Sequence, residues 1–186
     1  MVNNQVHSSQ PGTFNISAAM LHIIAMTFML MDHLWATLLP AQDWLTCVGR
    51  LAFPIFAFMA VEGYFHTHSF KKYILRLLLF AVLSEIPFDL MYGGTWFYPF
   101  HQNVIWTLLM GLLGVHLLET VRRKQKPALF AAAAVGVILA GAVLGILCMV
   151  DYYAVGVLTV LVTMLSGGFE PVGVLVTVLG VMGESL

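Results

Sequence analysis

Residues 17–39, SAAMLHIIAMTFMLMDHLWATLL, decide the fold. The stretch holds no Lys or Arg, one acidic side chain, Asp32, and two histidines, His22 and His33. About 20 apolar residues in a helix cover the roughly 30 Å of hydrocarbon in a bilayer, so the segment is long enough to span one. Lipid offers no water to backbone N–H and C=O groups, and a helix satisfies them within the segment. A charge at that depth costs about 2.5–3.5 kcal/mol on insertion scales, so an intramembrane Asp beside a His faces the protein interior and marks function by default.

The rest of the chain carries the same signature. Of its 186 residues 60% are hydrophobic and 9% charged, against roughly 25% charged in soluble domains. Mean hydropathy is +0.92. Further spans are expected at residues 44–65, 73–91, 103–121 and 128–150, with two shorter stretches, 153–165 and 171–182, divided by Ser166-Gly167-Gly168. The expected fold is all-α, a polytopic transmembrane helix bundle of about six to seven spans. Residues 17–186 form one helical domain behind a polar lead, residues 1–16. The first stretch lacks the basic flank of a secretory signal peptide, so it is read as a retained span. Cys47 and Cys148 form no metal-type cluster and read as buried free thiols. A formal net charge of -1 gives no basic field, which excludes nucleic acid as a partner.

Lys and Arg in short loops favour the cytoplasm. Lys71, Lys72 and Arg76 flank one connection and Arg122, Arg123, Lys124 and Lys126 another, two spans later. Both are expected inside, with the N-terminus inside and residues 40–43, 92–102 and 151–152 outside. The aromatic run Trp96-Phe97-Tyr98-Pro99-Phe100 suits the headgroup level on that outer side. Orientation then sorts the polar residues by depth. Asp32 and His33 of the first span, Arg50 of the second, Glu85 and Asp89 of the third, Gln102 and Asn103 of the fourth, and Asp151 all fall near the outer face.

His33 is the natural proton acceptor, because an unperturbed imidazole titrates at about 6.5. Asp32, its neighbour in sequence, cannot orient it, since i and i+1 side chains on a helix point apart. A carboxylate from another helix must do so. Glu85 and Asp89, at i and i+4, share one face and are both candidates. Arg50 can neutralise Asp32 or Asp89, and the leading reading pairs it with Asp32. His22, Met26, Met29 and His33 form one stripe, but a rise of 1.5 Å per residue sets the two histidines about 16 Å apart along the axis, too far to share an ion. Glu62, His66 and His68 are too few for a closed zinc site. No metal is assigned.

These residues carry a family resemblance. Leu21-His22-Ile23-Ile24-Ala25-Met26, Met29-Leu30-Met31-Asp32-His33 and Gly49-Arg50-Leu51-Ala52-Phe53-Pro54-Ile55-Phe56-Ala57-Phe58 resemble the TraX family of conjugal-transfer pilin acetylation proteins. Val61-Glu62-Gly63-Tyr64-Phe65-His66-Thr67, Ser84-Glu85-Ile86-Pro87-Phe88-Asp89-Leu90, Gln102-Asn103-Val104 and Asp151-Tyr152 follow the family's pattern in order. The resemblance covers about residues 20–165. His22 stands where the pattern has Lys, and a later hydrophobic segment with a Tyr-Pro-x-His motif is missing, so the C-terminus reads as short.

The resemblance implies a bacterial membrane acetyltransferase in the cytoplasmic membrane, with acetyl-CoA as donor and a pilin, peptide or glycan amine or hydroxyl as acceptor. On that reading His33 deprotonates the acceptor, while Glu85 or Asp89 holds the imidazole or a cationic acceptor. Arg50 and Asn103 stabilise charge on the thioester oxygen, Gln102 and Asp151 contact substrate, and Lys71, Lys72 and Arg76 attract the donor's phosphates. A proton-coupled transporter or accessory subunit is the alternative, because intramembrane Asp, Glu and His also build proton relays. A purely structural protein accounts for residues 128–186 but leaves the outer polar cluster without a role.

Overall fold

The structure, a computed structural model, describes residues 17–166. The expected polar lead, residues 1–16, and the expected stretch 171–182 lie outside the described residues. Seven helices follow in order: α1 (Ala18–Thr37), α2 (Asp43–Gly49), α3 (Ala52–His66), α4 (Phe70–Tyr92), α5 (Val104–Arg122), α6 (Pro127–Leu147) and α7 (Tyr153–Leu165). The described residues are helical, with one isolated bridge, Gln102 to Val150.

Four segments are long and apolar enough to cross a membrane: Ala18–Thr37, Asp43–His66, Val104–Arg122 and Pro127–Leu147. The described residues therefore supply four apolar spans where six to seven were expected. α4 has 23 residues, about 34 Å at 1.5 Å per residue, but Lys71, Lys72, Arg76, Glu85 and Asp89 break its apolar run. α7, at 13 residues, reaches about 20 Å, short of the roughly 30 Å of hydrocarbon.

The expected second span is not one helix. Pro54 has no N–H to return to the Arg50 carbonyl four residues back, and its ring crowds that carbonyl. The Arg50 oxygen accepts instead from the Phe53 amide at 3.3 Å, and the chain breaks into α2 and α3 at residues 50–51. Arg50 sits on the break.

The core lies between α3, α5 and α7, where Phe53, Ala57, Val61, Leu112, Val115, Val157, Val160 and Leu161 are buried together. Gly111 permits this closeness: a Cβ there would stand 2.5 Å from the Val160 Cβ. α6 packs on α5 and α7 and exposes Leu139, Val143, Ile146 and Leu147. α1 packs on α2 and α3, and α4 on α5; α1 and α4 barely touch each other. Cys47 and Cys148 are free and exposed, not buried, because the helices carrying them turn those faces away from the core.

Candidate active site

At the end of the bundle carrying the 93–103 loop, two cavities adjoin. One, about 440 Å³, is lined by Met29, Asp32 and His33 of α1, Phe56 of α3, Pro87, Phe88 and Met91 of α4, Asn103, Ile105 and Leu108 at α5, and Asp151. The other, about 420 Å³, is lined by Trp35, Arg50, His101, Tyr152 and Tyr153. Tyr92 and Asp151 line both. The sizes fall in the range of small-molecule sites.

Asp32 and Arg50 meet through Thr46. The Thr46 hydroxyl donates to Asp32 Oδ1 at 2.7 Å and accepts from Arg50 Nε at 3.3 Å. The approach of α1 to α2 requires glycine at 49, where a Cβ would lie 2.6 Å from the Asp32 Cβ. The Arg50 guanidinium also lies over the Tyr152 ring, 5.8 Å from its centroid, and that ring stacks on Phe53 at 4.5 Å. Burial, with Asp151 alongside, raises the Tyr152 phenol far above its ordinary range, so it stays protonated.

Glu85 is held by α5. It accepts from the Trp106 Nε1 at 2.8 Å and from the Asn103 side-chain amide. Asn103 also donates to the Ala81 carbonyl at 2.8 Å and caps α5 by accepting from the Ile105 amide at 3.0 Å. Asp89, 2% exposed, accepts from the Tyr98 amide at 2.9 Å and so ties the 93–103 loop to α4. Gln102 and Asp151 belong to the bridge between two loops: the Gln102 amide donates to the Met149 carbonyl and the Asp151 amide to the Gln102 carbonyl. Tyr152 and Tyr153 follow with φ of 59° and 41°, a left-handed pair that non-glycine residues adopt at a cost of about 1–3 kcal/mol each.

Asp32, His33, Arg50, Asn103 and Asp151 are thus brought to the two cavities. Gln102 lines neither cavity, and the partners expected for His33 are engaged elsewhere. Neither Glu85 nor Asp89 hydrogen-bonds His33: α5 engages the first and the loop engages the second. His33 Nδ1 is buried without a partner, as are Glu85 Oε1 and Asp89 Oδ1. Glu119 Oε2, toward the opposite end, is a fourth such atom, and a buried polar atom left unpaired costs about 1–3 kcal/mol. Lys71, Lys72 and Arg76 sit on the first two turns of α4, away from the residues that line the cavities.

His101, Thr46 and Trp106 were not singled out from sequence, and Tyr152 only as part of the Asp151-Tyr152 motif. His101 Nε2 lies 3.6 Å from Asp151 Oδ1 and its ring stacks on Phe88. Its position beside Gln102-Asn103 was the available signal. Thr46 gave none, because a hydroxyl one turn before an Arg is common on any helix.

Four segments long and apolar enough to cross a membrane, with a polar pocket at one end of the bundle, mark a multi-helix membrane protein. A family model described as TraX protein matches residues 17–169, and the chain belongs to that family. It is also 34% identical over 118 residues to a "Probable fimbrial assembly protein FimC, serogroup H1" of Dichelobacter nodosus, a match covering 54% of this chain and 46% of that protein. The chain thus spans about half the length of the curated relative it matches. No solved structure matches.

Proposed function

We propose that the chain is a membrane acetyltransferase that moves an acetyl group from acetyl-CoA to an amine acceptor, a pilin or other peptide N-terminus. The observation that carries this reading is the pair of cavities with a common wall at Tyr92 and Asp151. A two-substrate transfer needs two sites whose reacting atoms meet. Family membership and the fimbrial name of the relative support the choice of chemistry and acceptor.

In this reading the donor's thioester lies on the Arg50 side and the amine on the Asp32–His33 side. His33 takes the proton from the attacking nitrogen as the C–N bond forms. The C–S bond then breaks, and CoA leaves as the thiolate. Arg50 and the Tyr152 hydroxyl stabilise the carbonyl oxygen as it gains charge. Lys71, Lys72 and Arg76 draw the donor's phosphates to the membrane surface. The host is the bacterial cytoplasmic membrane with the N-terminus inside. α4 also crosses, its Glu85 and Asp89 engaged by α5 and the loop, which makes five spans among the described residues.

The test is transfer of labelled acetyl from acetyl-CoA to an apolar peptide in proteoliposomes. His33→Gln should lower turnover about 10²–10⁴-fold, the usual worth of a general base, with the protein still folded. Unchanged turnover removes His33 from the mechanism.

A further inference from the structure

Asp151 belongs to both cavities, and its carboxylate faces the ring of His101, with Oδ1 3.6 Å from Nε2. The backbone sets this pair. His101 precedes Gln102 and Asp151 follows Val150, the two residues of the isolated bridge, so the bridge brings them side by side. Asp151 is held at three points. Its amide donates to the Gln102 carbonyl at 3.0 Å, its carbonyl accepts from the Thr107 hydroxyl at 2.6 Å, and its Oδ1 accepts from the Tyr152 amide at 3.1 Å. The His101 ring is fixed by α4, stacking on Phe88 with centroids 5.5 Å apart and lying 5.2 Å from the Tyr92 ring, and it stands edge-on to Tyr153. An imidazole held beside a carboxylate, its ring locked and a cavity at its side, is an arrangement that moves protons, and such contacts tighten when substrate is bound.

We infer that His101 is a second proton-handling residue of the site, positioned by Asp151, and that it protonates the departing sulfur while His33 takes a proton from the attacking amine. The inference rests on the acetyltransferase reading. The two histidines divide between the cavities as that reading requires: His33 lines the one given to the amine, His101 the one given to the donor. The proton balance calls for both. The amine loses a proton to His33 as the C–N bond forms. The C–S electron pair then goes to a sulfur whose thiol ordinarily titrates near about 8.5, and a thiolate left here would stand among the carboxylates of Asp32 and Asp151. His101 enters as imidazolium with Nε2–H toward Asp151, gives up the Nδ1 proton to that sulfur and ends neutral; His33 enters neutral and ends protonated. One proton is taken up and one released at each turnover. The other titratable and charged groups about His101 are Tyr92 of α4, Tyr153 at the start of α7 and, lining the same cavity, Arg50 and Tyr152.

The test follows labelled acetyl from acetyl-CoA to an apolar peptide in proteoliposomes at saturating donor, from about pH 6 to about pH 9, a range that brackets an imidazole. Wild-type kcat should fall on the alkaline side, where His101 has no proton to give. His101→Gln should lower the maximum about 10²-fold, the low end for one proton-transfer group, and abolish the alkaline fall. His101→Phe keeps the ring stack on Phe88, carries no proton and should behave as His101→Gln does. Asp151→Asn keeps the shape and removes the charge that holds the imidazolium, so kcat should drop with the donor KM unchanged. A wild-type profile without an alkaline fall, an alkaline fall retained in His101→Gln, or full turnover in His101→Phe overturns the inference and, with the wild-type protein transferring acetyl, leaves the acetyltransferase reading standing. Absence of transfer by the wild-type protein removes both.

Discussion

Thr46 gives one hydroxyl to two charged neighbours, donating to Asp32 and accepting from Arg50. Replacing it with Val keeps its shape and removes both bonds, leaving a half-buried carboxylate without its donor. Thr46→Val should therefore cost about 1–3 kcal/mol in denaturant unfolding from detergent, and Thr46→Ser should retain most of it. If Thr46→Val unfolds at the same midpoint, the Thr46 bridge does not hold the Asp32–Arg50 arrangement. Trp106→Phe makes the companion case, since it strips one of two donors from Glu85, which already has one unpaired oxygen. Its expected loss is of similar size by the same measurement. The intramembrane charges themselves were legible in the sequence, because a charge in an apolar run is costly wherever it stands. Their partners were not, since Thr46, Trp106 and the Tyr98 amide are ordinary groups whose role depends on which helix faces which.

Pro54 and Gly49 set the two features that place Arg50: the break between α2 and α3, and the contact of α2 with α1. Pro54→Ala restores an amide at 54 that can bond to the Arg50 carbonyl and so favours one continuous helix from 43 to 66. Hydrogen exchange should find that amide protected, with turnover reduced because Arg50 rotates with the straightened helix. A protected amide with full turnover would show that the break is not needed. Gly49→Ala forces a methyl against the Asp32 backbone and should cost about 1–3 kcal/mol as overpacking. Helix positions were readable to within a few residues, from 73–91 against Phe70–Tyr92 to 128–150 against Pro127–Leu147. Hydropathy reports burial in lipid, and that is nearly all these helices need. The break at 50–51 was less legible, because Pro54 falls in the first turn of α3, where proline is tolerated, and the interruption appears only when the lost bond to Arg50 is traced. Likewise the gap between α1 and α4 is a property of pairing, on which apolar helices in lipid carry little signal because any apolar face suits a lipid tail.

For the whole molecule, the even alternation of α1, α2–α3, α4, α5 and α6 puts Ser69 and Lys124 at one end and Thr95 and Asp151 at the other. The two basic connections share the first end, and the proposed orientation sets that end in the cytoplasm, as positive charge in short loops favours. The cavities, the exposed Trp96, Phe97 and Phe100, and the Gln102–Val150 bridge share the second. On the proposed reading, a donor that carries phosphates and waits in the cytoplasm must extend its arm past the basic end toward Arg50, whereas an acceptor amine presented from the outer leaflet reaches the cavities directly. Orientation thus separates two routes for the same transfer, and cysteine labelling reads it. With Cys47 and Cys148 changed to Ser, Thr95→Cys should react with a membrane-impermeant maleimide in intact cells, and Lys124→Cys only after permeabilisation. The opposite pattern would put the cavities on the cytoplasmic face, give the proposed donor direct access and require the acceptor amine to be presented at the inner leaflet.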